Sequence, residues 1–521
     1  MSLVDLAAVI LLAGAILPVS RLPRDARFRR LFPAAAAAVA AAMLSWWLLV
    51  FALVVAVPAW LVPAAAVTSV AWACGYWRAR PEYGRARGLP PGSLSLIESI
   101  AGIAERGFCA RNAAVHGPVF KTSQVTCNVV CVVGLERAQR LLREHADAIV
   151  ATPLPFHHQI PGGFLRYMDD ATHDRYGGVF RRAFGGSLLD ATTPSIRGIV
   201  RRELNRLAEQ VSTDREGLDP KPALERITHD ALVAVLFGAQ PGSDRYRAFE
   251  ARWRGLDSVT IQRRWNRRER LALDEIIEAT LADARAAESP VDANPSVITR
   301  MHQFDPELPD EVAVANLVLT QAIGQDNLAG LLDWLLVMLA DNPEWKQRLR
   351  ERPEDAEAFV AETLRLARSE YLYRTLGREV RFEGYRLPRG WRLRICVAES
   401  HRDPEVFEQA DRFTDRFVNG RYRQSEYSPF GMGRHACTGA GLATLVSRVF
   451  LEELTSGFDF DLSGFASPVR GFRHWSHWNP GPAPRLRVVA TGPAAPGGCP
   501  FGAAQGSRFA GKPGSEVAVD E

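Results

Sequence analysis

The feature that most restricts the fold of this chain is a run of 47 residues, 31–77, without one charged side chain. About 20 apolar residues cross a bilayer, and a single helix of this length would be roughly 70 Å long, over twice the hydrocarbon core. Two crossings separated near Pro58–Pro63 therefore fit the run better than one. Residues 3–19 are a third candidate, in which Asp5 is the only charged residue.

Arginines flank these apolar segments. Five lie in residues 20–30 and four in 78–87, and the positive-inside rule assigns both clusters to the cytoplasmic side. The sequence therefore predicts a membrane anchor of two to three transmembrane helices in residues 1–77. A re-entrant hairpin near Pro58 and Ala-rich helices buried in a protein core remain as alternatives. A cleaved signal peptide fits less well, because Asp5 stands where a basic start is expected.

The remaining sequence reads as one large domain. Residues 78–92 form a basic, Pro-rich linker, 93–490 a globular domain, and 491–521 a Gly- and Pro-rich flexible tail. The 521 residues carry 63 Lys and Arg against 59 Asp and Glu, a net charge of +4, which argues against a nucleic-acid-binding protein. Seven cysteines are too few and too scattered for a disulfide scaffold.

Hydrophobic patterning in this domain predicts a mainly α fold with small β-sheets. Residues 119–133 are expected to form a β-hairpin, and 134–146 a helix with one apolar face. Helical patterns dominate 165–350. Shorter β-rich segments follow in 378–397, and 480–490 suggests a final strand.

A glycine-rich segment with one cysteine carries the chemistry. In residues 430–439, Cys437 stands between Gly433 and Gly439, just before a helical run. The positive end of that helix and nearby amides are expected to favour the thiolate. Small neighbours let a flat cofactor approach the backbone. A buried structural cysteine in a glycine turn would explain Cys437 alone, but not the elements around it.

This segment resembles the heme-ligand loop of the cytochrome P450 family, Phe-x-x-Gly-x-x-x-Cys-x-Gly, with Phe430 as its first residue. Upstream, Glu362 and Arg365 match the Glu-x-x-Arg helix motif of the family. Residues 401–407 and 412–417 resemble the segment between helix and loop, so that Arg416 is expected to join Glu362 and Arg365 in a structural clamp. The resemblance covers roughly residues 81–490 and implies a cytochrome P450-like fold preceded by N-terminal transmembrane helices.

The resemblance also implies a bound heme b, with Cys437 as its axial thiolate ligand. His435 and Arg374 match positions that bind heme propionates. His173 matches a further propionate-binding position, but Gly177 stands where many relatives have an arginine. Either Arg175 compensates for that arginine, or His173 is an ordinary helix-surface residue.

The oxygen-activating helix of the family corresponds to residues 317–339. Asp326 interrupts its apolar sequence, and a buried carboxylate there is expected to deliver protons to iron-bound dioxygen. A locally satisfied helix distortion is the alternative. Asn327 departs from the family pattern, which has a threonine hydroxyl, and an amide is a poor proton-transfer group.

Three variable segments, 151–164, 369–373 and 472–479, are expected to line the substrate pocket. Their aromatic residues favour a bulky apolar or aromatic small molecule. Residues 245–270 carry nine arginines and either dock against anionic lipid or form a solvated helix pair.

The resemblance implies a monooxygenase that inserts one oxygen atom from O2 into its substrate. No flavin or iron–sulfur domain is recognisable, and the other six cysteines form no cluster motif, so electrons are expected from a separate donor such as ferredoxin and ferredoxin reductase. Two rivals remain: oxidative coupling, peroxide-driven oxidation or rearrangement on a similar heme site, and a non-catalytic heme-binding sensor or heme-less scaffold. The heme loop suggests a bacterial protein, placed in the inner membrane with its heme domain in the cytoplasm and no nucleic-acid partner.

Overall fold

The computed structural model describes most of the chain between residues 88 and 491. The described residues are 88–94, 102, 105, 107–124, 127–152, 165, 168, 170–211, 217–253, 295–368, 371–463, 470–474, 477–481 and 485–491. Within them, no helix combines the length and apolarity that crossing a bilayer requires. The predicted anchor in residues 1–77 lies outside the described residues, as do nearly all of the predicted tail and most of the linker.

Helices dominate the described fold. Their bounds are α1 (Phe108–His116), α2 (Leu135–Glu144), α3 (Asp170–Ala183), α4 (Gly186–Val211), α5 (Lys221–Phe237), α6 (Asp244–Trp253), α7 (Val297–Phe304), α8 (Asp310–Asp341), α9 (Glu344–Glu351), α10 (Ala356–Thr363), α11 (Val397–Ser400), α12 (Arg416–Asn419) and α13 (Ala440–Gly457). A π-helical turn, Leu364–Arg368, continues α10, and 3-10 turns cover Pro353–Asp355 and Gly433–His435.

The main hydrophobic core surrounds α8, which runs without a break for 32 residues. Its apolar residues lie on all sides of the helix, as expected for a helix that is enclosed by others. Helices α5, α10 and α13 pack against it, and α4 packs against α5 and α13. From Ile227 to Phe237 every residue of α5 is buried, which places this helix in the interior as well.

The strands form one larger sheet and three small ones. Their bounds are β1 (Val119–Gln124), β2 (Cys127–Val133), β3 (Ile149–Ala151), β4 (Tyr371–Leu376), β5 (Val380–Phe382), β6 (Tyr385–Leu387), β7 (Arg392–Cys396), β8 (Phe458–Ser463), β9 (Arg470–His474), β10 (His477–Gly481) and β11 (Arg485–Ala490). The larger sheet has the order β1-β2-β7-β4-β3, in which only β2 and β7 run parallel.

These elements confirm the mainly α architecture with small sheets. The predicted hairpin is β1 and β2, and Val119 pairs with Val132 across it. The predicted helix after it is α2, whose apolar face buries Leu135, Ala138 and Leu141. The predicted final strand is β11, which pairs antiparallel with β8.

Candidate active site

The cysteine loop is folded around hydrogen bonds of its own backbone. The amide of Cys437 donates to the carbonyl of Phe430 at 2.8 Å, which closes the loop. Gly431 and Gly433 have φ angles of +81° and +66°, in the region that side-chain-bearing residues rarely adopt. These two glycines allow the chain to turn back on itself, and Gly439 then caps α13.

The thiol of Cys437 is accessible to solvent although protein surrounds most of it, as for a side chain that lines an internal space. The expectation that its position before a helix favours the thiolate is wrong for the chain alone. Burial raises the pKa of Cys437, and the hydrogen bond from the Gly439 amide only partly opposes this. The helix begins three residues later, at Ala440, so its other free amides are too distant to offset burial.

The middle of α8 is open, unlike the rest of this buried helix. Asn327 is exposed and Asp326 is half-buried, whereas the next residue, Leu328, is only 4% exposed. The Asn327 amide donates to the carbonyl of Ile323 at 2.9 Å. The expectation that Asp326 is a fully buried carboxylate is therefore wrong, and α8 is not distorted at this point. Both side chains instead belong to a solvent-accessible part of α8.

His173 on α3 meets the cysteine loop. Its side chain is buried, its ring lies 4.8 Å from that of His435 in an edge-to-face contact, and its Nδ1 has no hydrogen-bond partner. Burial lowers the pKa of His173, as does the charge of Arg434, so the ring is neutral at neutral pH. Arg434 itself forms an ion pair with Asp174 at 3.2 Å. His173 is therefore not a helix-surface residue, and it presents an unsatisfied polar atom beside the loop.

Gly177 lies against His173, and Arg175 does not take the place of the arginine that many relatives have at position 177. The Arg175 guanidinium points to α7 and pairs with Asp305 at 3.3 Å. Arg181 is the nearer cation: its Nη1 lies 3.3 Å from the position that a Cβ on Gly177 would occupy. Sequence reasoning missed Arg181, although it lies one helical turn beyond Gly177 on the same face.

Strand β4 approaches the loop from another side. Leu372 lies 3.5 Å from the position of a Cβ on Gly431, which is van der Waals distance, so the strand packs directly on the loop. The next residues, Tyr373 and Arg374, share a hydrogen bond from the Arg374 guanidinium to the Tyr373 carbonyl at 2.8 Å. Arg374 is buried, and a buried cation is costly unless polar or charged groups compensate it.

These residues fit a heme. Cys437 offers an accessible sulfur in a glycine-rich loop, and His173 offers an unpartnered buried nitrogen next to His435. Cys437 would hold the iron, while His173, His435 and Arg374 would hold the propionates. A thiolate-ligated heme supplies dioxygen activation, because the thiolate donates electron density to the iron. The fold and this site together define a heme-thiolate protein.

Glu362, Arg365 and Arg416 form one buried charge network. Arg365 is fully buried and donates to both oxygens of Glu362, at 2.7 and 2.8 Å. Arg416 donates to Oε1 of Glu362 at 3.0 Å. Arg365 also donates to the carbonyls of His401 and Ala410, at 2.7 and 2.6 Å. The network thereby ties α10 to the segment that leads into the cysteine loop.

His401 and Tyr427 extend this network, and sequence reasoning missed both. The amide of Ser428 donates to Nε2 of His401 at 3.0 Å, and the two rings stack with centroids 5.1 Å apart. The Tyr427 hydroxyl donates to the carbonyl of Ala361 at 2.9 Å. Burial lowers the pKa of His401 to about 3, so the ring is a neutral acceptor.

A polar cavity of about 660 Å³ lies beside α8, between α4, α5 and α6. Gln325 reaches it from α8, and its Oε1 lies 3.1 Å from Nδ1 of His229. Nε2 of His229 lies 2.5 Å from Oε1 of Glu250. Burial raises the pKa of Glu225, another lining residue; Lys221 opposes this shift and the charge of Asp326 adds to it. The cavity therefore adjoins the open part of α8.

The predicted substrate segments are only partly described. Residues 153–164 lie outside the described residues, as do 369–370 and Trp475, and residues 472–479 are described at most as backbone. The basic stretch 245–270 is described only to residue 253, where α6 ends. The roles assigned to these segments therefore stay predictions.

The comparisons with known proteins agree with this fold and site. Residues 356–475 match the family model described as cytochrome P450. The matched segment contains the Glu362 network and the Cys437 loop. Over this segment the chain is similar to the cytochrome P450 family, whose members are oxidoreductases that bind heme b.

Its relatives are distant. Abscisic acid 8'-hydroxylase 3 of Oryza sativa subsp. indica is 22% identical over 77% of this chain and 86% of that protein. Putative cytochrome P450 120 of Synechocystis sp. is 23% identical over 72% of this chain and 91% of that protein. A solved structure, retinoic acid bound cyanobacterial CYP120A1, superimposes with a TM-score of 0.64 at 21% identity, covering 78% of this chain and 100% of that chain.

Proposed function

We propose that this chain inserts one oxygen atom from O2 into a bulky apolar or aromatic small molecule, with electrons from a separate protein. The observation that carries the proposal is the accessible Cys437 thiol in its glycine-rich loop, held next to His173 and His435. The other parts of the proposal follow from residues on α8 and from the sequence outside the described residues.

Protons for the reaction are assigned to Asp326. Its half-buried carboxylate lies on the open part of α8, within electrostatic reach of Glu225, which lines the polar cavity. Protons from solvent in the cavity can be relayed to that carboxylate, and a positioned acid of this kind contributes roughly 10²–10⁴-fold to a rate. Asn327 positions water by donating and accepting hydrogen bonds, since its amide does not transfer protons readily.

The substrate class rests on sequence and on likeness. The aromatic residues of 151–164 and 472–479 favour an apolar ligand. One of the compared proteins is named as an abscisic acid 8'-hydroxylase, and the solved structure has retinoic acid bound. We therefore expect a largely apolar substrate of similar size.

The electron donor is proposed to be a separate protein such as ferredoxin with its reductase. The sequence shows no flavin or iron–sulfur motif. Residues 1–77 are proposed to anchor the enzyme in a bacterial inner membrane, with the heme domain in the cytoplasm and contact to lipid. Pelleting of the full chain with membranes, and its release after deletion of residues 1–77, would test the anchor.

Asn327 favours a second candidate function, a coupling or peroxide-driven oxidation on the same heme site. The amide hydrogen-bonds within its own helix and supplies no hydroxyl. A protein with this side chain would be expected to depend less on proton delivery.

One experiment separates the two candidates. Purified full-length protein is screened for small molecules that shift the heme spin state, and a binder is then incubated with ¹⁸O2 and a ferredoxin system. Product carrying one ¹⁸O atom only when the electron donor is present supports the monooxygenase. Product formed without any donor supports the second candidate, and failure to incorporate heme would exclude both.

A further inference from the structure

Three cysteines outside the heme site meet between α1 and one face of the larger sheet. The sulfurs of Cys109, Cys131 and Cys396 all lie within 4.8 Å of one another, and all three residues are buried. Cys109 comes from the first turn of α1, Cys131 from β2 and Cys396 from the end of β7. We call these residues the three-cysteine cluster.

Strand register explains how the sequence builds the cluster. Cys131 on β2 pairs with Arg394 on the parallel strand β7, and Cys396 lies two residues beyond Arg394. Residues two apart on a strand share one face of the sheet, so Cys131, Arg394 and Cys396 point to the same side. Helix α1 covers this side and adds Cys109, together with Phe108.

Arg394 leaves a positive charge beside the cluster. Its side chain is buried, and its Nε has no hydrogen-bond partner. Among the described residues no carboxylate lies within ion-pair distance of it, and its guanidinium instead stacks 3.9 Å above the ring of Tyr371. A cation–π contact offsets only part of the cost of a buried charge. Arginine cannot shed its proton, so the site requires an anion.

The three sulfurs of the cluster can supply that anion, because the thiolate is the form of cysteine that binds a metal ion. A bound divalent metal ion would deprotonate all three and release three protons to solvent.

We propose that the three-cysteine cluster is a zinc site, formed by Cys109, Cys131 and Cys396 with Arg394 as its counter-charge. One Zn²⁺ and three thiolates carry a net charge of −1, which the guanidinium balances. Thiolates are preferred ligands of zinc, and a water completes the tetrahedron.

The spacing of the sulfurs suits this ion. An ion centred among three sulfurs no more than 4.8 Å apart would be at most about 2.8 Å from each, so a contraction of at most about 0.5 Å gives the usual Zn–S distance of about 2.3 Å. The ion would crosslink α1, β2 and β7, whose ligands are far apart in sequence. It would therefore stabilise the larger sheet and have no role in the heme reaction.

Metal content of the untagged, heme-loaded full chain tests the proposal. Protein is expressed with added zinc, dialysed without chelator and measured by mass spectrometry of the elements, with heme iron as an internal standard. The wild type and Cys127→Ser are expected to hold about one zinc per chain, because Cys127 is on the same strand but outside the cluster. Cys109→Ser is expected to lose at least nine-tenths of it.

Zinc absorption spectroscopy of the wild type keeps the test independent of whether a variant folds. Three sulfur neighbours at about 2.3 Å support the proposal. Less than a tenth of an equivalent of zinc in the wild type would overturn it, as would zinc with only nitrogen or oxygen neighbours, full retention by a folded Cys109→Ser, or a disulfide between two cluster cysteines.

Discussion

Replacing Glu362 by glutamine should destabilise the protein strongly although it changes a single atom. In the folded chain, Oε2 of Glu362 accepts one hydrogen bond, from Arg365, at 2.7 Å. Oε1 accepts three, from Arg365, from the Thr414 amide and from Arg416, at 2.8, 3.1 and 3.0 Å. Because glutamine keeps only one oxygen, the fewest bonds are lost when its NH2 group takes the place of Oε2 and faces a donor of Arg365.

The size of the effect follows from burial. The side chains of Glu362 and Arg365 are both inaccessible to solvent. Removing one charge of a fully buried pair costs about 3–5 kcal/mol, because the remaining charge is left without compensation. We therefore expect Glu362→Gln to lower the free energy of unfolding by about that amount.

Urea denaturation of the full chain, followed by circular dichroism and tryptophan fluorescence, measures this difference when the two transitions coincide. Glu357→Gln is the matched control, because it is the same substitution on the same helix, α10, at an exposed position. Its effect should stay within about 0.5 kcal/mol. Equal effects of Glu362→Gln and Glu357→Gln would refute the reasoning.

Three further predictions concern single residues. Burial lowers the pKa of His401 to about 3, whereas an unfolded histidine titrates near 6.5. The free energy of unfolding is therefore intact above pH 6.5 and falls by about 2 kcal/mol from pH 7 to 5. Urea denaturation at the two pH values should show a smaller loss for His401→Gln. We expect Arg181, the cation beside Gly177, to hold a heme propionate, so Arg181→Ala should release heme to apomyoglobin roughly ten-fold faster through the loss of one charged hydrogen bond. Arg175→Ala is the control and should leave the rate unchanged; equal rates for the two variants would contradict this role of Arg181. Asp326→Asn should slow turnover about 100-fold or more and divert electrons to peroxide, and product per electron consumed checks this; an unaltered ratio would remove Asp326 from the proton route.

Local spacing carried the predictions that agree with the structure. The hairpin of β1 and β2 follows from alternation and the break between the strands, and the Glu362–Arg365 pair from an i, i+3 spacing on one helix face. The loop around Cys437 is fixed by glycines that permit left-handed backbone. In each case the decisive contacts lie within a few residues of one another.

Contacts made by packing could not be read in this way. The ring contact of His173 with His435 joins α3 to a loop far along the chain, and the choice of Arg181 over Arg175 depends on which side of α3 faces α7. The prediction that the helix start alone favours the Cys437 thiolate was wrong, because burial, a property of the whole fold, raises the pKa of the thiol more than the nearby amide lowers it. The three-cysteine cluster likewise depends on strand register, for which the spacing of its residues gives no signal.

The central claim, that Cys437 binds heme iron as a thiolate, is tested most directly by the difference spectrum of the reduced full chain with carbon monoxide. The account predicts a Soret band with the red shift of a thiolate ligand, and loss of that shift in Cys437→Ser. A heme-loaded wild type whose band lacks the red shift, or a Cys437→Ser variant that retains it, would contradict the account.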